Sequence, residues 1–224
     1  MGRPGGVRQL LAAQNRDYAA TEALVTLDIP VPDSRLAHQA EELVRTSSPS
    51  FLTNHCFRSH AWAVGLAAHD GVRFDAELLY VAALLHDLGL VATFDTGRCF
   101  ELDSAAAAAD LAAAGGWSQE RCEALAEAIR LHVALEEELG DGPETYLLWH
   151  ATGLDVVGHR YGDLDRRTIE SVVTGYPRLE FNRGFTDLLL DQAGRKPNCW
   201  AANAIESGIA ERIQTTPFDS GAQP

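Results

Sequence analysis

Leu78-Leu79-Tyr80-Val81-Ala82-Ala83-Leu84-Leu85-His86-Asp87-Leu88-Gly89 is the stretch on which the reading of this chain turns. Eight apolar or aromatic residues run without interruption into a His-Asp pair, and a glycine stands two residues beyond it. A segment apolar on every side is buried on every side, so it reads as a helix inside a larger core. Its charged end is then costly. An ionised aspartate beside an imidazole in apolar surroundings costs several kcal/mol unless something compensates it. A metal cation compensates both groups at once by taking the carboxylate and the neutral imidazole as ligands. The bland alternative is a helix that stops at Gly89 with His86 and Asp87 as its solvated last turn. His69-Asp70-Gly71 shows that such a pattern occurs in the same chain.

The segments on either side read as helices too. Ile29-Pro30-Val31-Pro32 is extended, because each proline turns its predecessor away from helix, and Ser34 is a good N-cap. Leu36, Ala40, Leu43 and Val44 mark one face of a helix to about Arg45. Further helices are expected over about 53–68, 75–87, 103–114, 118–132 and 143–157. Three shorter ones are expected near 166–174, 184–192 and 199–207, parted by Tyr176-Pro177 and Lys196-Pro197. No alternating stretch reads as a strand. The expected fold is all-α, a single compact domain of about eight to ten helices over residues 29–210. An N-terminal extension over 1–28 and a flexible tail over 211–224 complete the division.

At 224 residues with 46% apolar content, the chain can bury a sizeable core. A net charge of −14 argues against a nucleic-acid surface or an anionic-membrane anchor. No stretch approaches the length of a membrane span. The four cysteines, Cys56, Cys99, Cys122 and Cys199, are scattered and read as reduced, buried thiols of a cytoplasmic protein. Apolar residues around Phe181 and Phe185 would support a homo-oligomer.

Other candidate ligands flank the His-Asp pair. His55 lies upstream in Asn54-His55-Cys56-Phe57-Arg58, and His132 closes the helix ending Ala128-Ile129-Arg130-Leu131. Asp155, within Thr152-Gly153-Leu154-Asp155-Val156-Val157-Gly158, is flanked by apolar residues and repeats the buried-carboxylate problem. His55, His86, Asp87 and Asp155 would form a mixed nitrogen and oxygen site, of the kind helical proteins build from facing helices. Such ligands suit zinc, iron, manganese or nickel.

The order His … His-Asp … Asp on an all-helical chain resembles the HD superfamily of metal-dependent enzymes. Within it the chain most resembles the cyanamide hydratase-like group. The matching stretches are Asn54-His55 with Arg58, Ala82 through Gly89, Phe100-Glu101-Leu102-Asp103-Ser104-Ala105, and Glu127 through His132. Tyr176-Pro177-Arg178, leading through Phe181 and Phe185 to Lys196-Pro197-Asn198-Cys199, is a fifth.

The resemblance implies that His55, His86, Asp87 and Asp155 ligate one divalent ion, zinc first, with iron or manganese as alternatives. It places His132 at the rim of the site. Only His132 and His150 lie between the His-Asp pair and Asp155, which favours one metal over two. The implied activity is hydration of cyanamide to urea, or of a related nitrile-like small molecule. Phosphohydrolysis of a nucleotide or other phosphate ester is the alternative, ahead of a di-iron oxygenase or a non-catalytic binding module. Glu101 and His132 are the candidates for proton transfer, and Arg58 for orienting a ligand carboxylate or binding an anion. His60 reads as structural, His150 and His159 as surface residues, and the four tryptophans as core.

Overall fold

The computed structural model describes residue 29 and residues 31–135 and 142–218. The extension expected over 1–28 and the last residues of the expected tail, 219–224, lie outside them. The described residues form ten α-helices and two short 3-10 turns, with no strand, as the all-α expectation requires.

At the centre lies α3 (Ala76–Leu85), in which every residue from Leu78 to Leu85 is buried. Its start is fixed by Asp75, whose carboxylate accepts from the amides of Glu77 and Leu78 at 3.0 Å each. On one side α3 meets α1 (Arg35–Ser47), α4 (Phe100–Ala114) and α5 (Gln119–Leu131) through Leu36, Val44, Ala108, Leu125 and Ile129. On the other, Leu79 joins a core shared by α2 (Ser50–Asp70), α6 (Pro143–Val157) and α7 (Arg166–Gly175). Burying each such leucine contributes about 1.5–3 kcal/mol, so a helix wetted on no face becomes the hub. A third core gathers α8 (Phe181–Arg195), α9 (Trp200–Glu206) and α10 (Ile209–Gln214) against Leu52 and Phe100.

The expected caps are present: Ser34 Oγ accepts from the Ala37 amide and Ser118 Oγ from the Arg121 amide. Helix α4 begins at Phe100, earlier than expected, because Asp103 does not cap it. Its carboxylate instead ties the preceding loop, accepting from the Thr96 amide and hydroxyl and from Arg98 Nε. Gly89 is required by a close approach to α4: a Cβ there would lie 2.1 Å from the Phe100 carbonyl oxygen. That packing turns the chain sharply just after the His-Asp pair.

Two expectations are corrected. Cys99 and Cys199, read as free thiols, form a disulfide between the residues that precede α4 and α9; Cys56 and Cys122 are free and buried. Sequence spacing gave no sign of it, since the two cysteines are 100 residues apart and meet only through packing. Phe181 and Phe185 are themselves core residues, and the apolar residues exposed beside them are Leu179 and Leu190. Helix α10 runs through residue 211, where a tail was expected; Ile213 and Thr216 are buried, and Phe218 stacks on Trp62 at 5.8 Å. No helix among the described residues is long and apolar enough to cross a membrane.

Candidate metal centre

His86 and His132 occupy the same local position on different helices. Each is the C-cap residue, of α3 and of α5 respectively. Each directs Nδ1 at the carbonyl three residues back, His86 to Ala83 at 2.9 Å and His132 to Ile129 at 2.5 Å. Helix ends leave such carbonyls short of amide donors, so the ring N–H fills the gap. A carbonyl can only accept, so Nδ1 carries the proton and Nε2 presents its lone pair. His55, fully buried in α2, reaches the same state by another route: its Nδ1 lies 2.7 Å from Asp155 Oδ2. Asp87 follows His86 with φ −109° and ψ 11°, in the sparsely populated region between helix and strand where active-site residues recur.

These lone pairs converge. His55 Nε2 is 3.1 Å from His86 Nε2, and Asp87 Oδ2 is 3.4 and 3.2 Å from the two. Asp87 Oδ2 is buried without a hydrogen-bond partner among the described residues. Two imidazole lone pairs and a carboxylate oxygen at such separations repel one another unless a cation lies among them. Ligands about 2.0–2.2 Å from a tetrahedral ion are about 3.3–3.6 Å from each other, close to the separations of these three groups, which therefore fit a divalent metal. His55, His86 and Asp87 are the residues able to hold it.

Asp155, expected in the same ligand set, faces elsewhere. Its Oδ1 accepts from Arg58 Nε and Trp62 Nε1, both at 2.8 Å, and its Oδ2 from Arg58 Nη2 at 2.8 Å as well as from His55. Arg178 adds a contact of 3.4 Å and donates to the Asp155 backbone carbonyl at 3.0 Å. Burial alone would raise the Asp155 carboxyl, but Arg58, His55 and Arg178 hold it well below the usual carboxylate range. Burial likewise opposes ionised Asp87, and only positive charge among its neighbours His86, His132 and His55 lowers its carboxyl, as a cation between them would. For His55, burial is outweighed by Asp155 and Asp87, which raise its pKa, whereas burial wins at His86 and lowers it.

A cavity of about 240 Å³ opens onto the centre, with His55, His86, Asp87 and His132 at its inner end. Its walls are Phe100, Val156, Phe185, Trp149 and Trp200, with Thr152, His159 and Arg212 as further polar members. His132 Nε2 is 3.7 Å from Asp87 Oδ1. Arg58 does not reach the cavity: it is fully buried, and its guanidinium is spent on Asp155 and on the carbonyls of Tyr176 and Pro177. Glu101 is buried one residue beyond Phe100, with burial raising its carboxyl, and it is not a wall residue.

Trp149, Trp200 and His159 were read from the sequence as core or surface and stand in the cavity wall. His159 follows Gly158, whose left-handed φ of 74° ends α6 and turns the chain back over that helix. The ring then lies 3.0 Å from His150. The helix-stopping glycine was the one available signal that a histidine would be swung back against α6.

Among known families, the one described as the HD domain matches residues 52–165, just over half of the chain. That span contains His55, His86, Asp87, His132 and Asp155. No curated protein matches the chain.

Proposed function

We propose, since this chain belongs to the HD-domain family, that it is a metal-dependent hydratase or hydrolase acting on a small, uncharged, largely apolar molecule. The observation that supports this most is the lining of the cavity. Aromatic and aliphatic side chains enclose it, and Arg212 is the one arginine or lysine in its wall among the described residues. A phosphate ester brings concentrated negative charge, which enzymes meet with cationic side chains as well as metal. Arg58, the basic residue closest in sequence to His55, is turned away to Asp155.

The reading is the one the cyanamide hydratase-like resemblance suggested, widened in substrate size. One water needs roughly 10–15 Å³ of such space, so a cavity of about 240 Å³ far exceeds what cyanamide would fill. A larger molecule with an apolar body and a nitrile-like electrophilic carbon matches it better.

A divalent cation, when bound, supplies Lewis acidity and brings the ionisation of water towards about pH 7. The chain does the rest. His55, His86 and Asp87 would hold the cation. Phe100, Phe185 and Val156 exclude bulk water and turn the electrophilic end of the substrate inward. His132 carries its proton on Nδ1, held by the Ile129 carbonyl, so Nε2 is free to accept a proton from the attacking water. The same nitrogen returns that proton to the substrate nitrogen, giving an imidic acid from a nitrile or isourea from cyanamide, which becomes the amide or urea once the hydroxyl proton shifts to nitrogen. Glu101, outside the cavity wall, is not needed for this transfer.

The test is the metal content of the purified protein, then amide or urea formation with cyanamide and with apolar nitriles of increasing size. About one equivalent of metal with turnover rising with nitrile size supports the reading. His86→Ala should abolish both bound metal and turnover. Metal with turnover of phosphate esters alone would establish the phosphohydrolase alternative instead.

A further inference from the structure

We propose that Asp155 is a positioning residue that acts through His55, and that His55, His86 and Asp87 alone supply the protein's ligands to the cation. This rests on the metal-dependent reading above and deepens it. An ionised carboxylate offers about four lone-pair sites. At Asp155 four donors stand within 2.8 Å: Arg58 Nε and Trp62 Nε1 on Oδ1, Arg58 Nη2 and His55 Nδ1 on Oδ2. Its acceptor capacity is used up. Two buried guanidiniums, those of Arg58 and Arg178, already balance its charge. Turning either oxygen to a cation would leave Arg58 buried without its counter-ion.

Asp87 presents the reverse picture, with Oδ2 lacking any hydrogen-bond partner among the described residues. The service Asp155 performs is to fix the His55 tautomer. By accepting from Nδ1 at 2.7 Å it commits that proton and aims the Nε2 lone pair at His86 and Asp87. A carboxylate behind a ligating histidine raises its basicity and locks the ring, and removing such a partner typically weakens metal binding 10–100-fold.

The experiment is cobalt(II) titration of the full-length protein and its variants, read by visible absorption and by the dissociation constant. Asp155→Asn should bind one equivalent with the unsubstituted protein's band positions, about 10–100-fold more weakly. Asp87→Asn should lose the bands. If Asp155→Asn does not fold, Asp155→Glu keeps the charge that faces Arg58 and Arg178 and takes its place. Shifted bands in the folded Asp155 variant would make Asp155 a ligand and overturn the proposal. An unchanged dissociation constant would also overturn it, since a merely structural carboxylate would cost stability and leave binding alone. Turnover enters neither readout. A protein that binds cobalt as described yet hydrates no nitrile sinks the substrate reading and leaves this one standing.

Discussion

Asp87 and Asp155 are both shut away from solvent, and both follow directly on an apolar run or lie inside one. Around Asp155 the protein assembled arginines from α2 and from the segment before α8, an indole and an imidazole, all donating. Around Asp87 it assembled imidazoles that all turn their Nδ1 protons away, two to carbonyls and one to Asp155. The first carboxylate is complete within the chain. The second is complete only with a cation from outside it. Burial of a charge therefore says nothing by itself about function; the direction in which the neighbours point their protons decides.

The contrast can be broken most directly by deletion in the metal-free protein. Asp155→Ala strands buried Arg58 and Arg178, and should cost about 3–5 kcal/mol in urea unfolding. Asp87→Ala strands no cation and should cost less than about 1 kcal/mol, or even stabilise. Equal losses from the two deletions would erase the distinction. Adding metal sharpens it: zinc at a hundred times its dissociation constant should stabilise the unsubstituted protein by about 2.7 kcal/mol. Asp87→Ala should gain nothing, and a chelator should reverse the gain.

A further contrast concerns His60, a buried histidine with neither kind of neighbourhood. Its Nε2 has no hydrogen-bond partner among the described residues, and burial pushes its pKa down to about 4. An unfolded histidine near 6.5 takes up its proton first as pH falls. Stability from this group is therefore fully present above about pH 6.5 and is lost progressively down to about pH 4. By pH 5 the loss is about 2 kcal/mol. His60→Leu should flatten that part of the pH–stability curve, whereas a His60→Leu curve as steep as the original would mean the histidine is protonated in the fold.

Much of this was legible in the residues. The uninterrupted run from Leu78 to Leu85 gave the central helix, and Ser34, Ser118 and the prolines gave most of the boundaries. His86, Asp87 and His55 were legible because an apolar context makes a charged pair conspicuous. Asp155 was conspicuous for the same reason, and its partners were not. Arg58 and Trp62 lie 97 and 93 residues away, and only the crossing of α2 with α6 brings them to it. Trp149 and Trp200 were hidden by an ambiguity of chemistry, since a tryptophan lining a cavity and one filling a core obey the same pattern.

The Cys99–Cys199 bond has a consequence of a topological kind. It joins the residues just before Phe100 and Trp200, two walls of the cavity, and so closes the intervening chain into a covalent ring. That ring, whose ends are 100 residues apart in sequence, contains α4 through α8, and with them His132 and Asp155. In the chain-entropy account a ring of that size removes about 4–5 kcal/mol worth of freedom from the unfolded chain. The bond thus ties together two walls of the cavity through the residues that precede them. Under denaturing conditions a thiol titration should find two reactive cysteines before reduction and four after it.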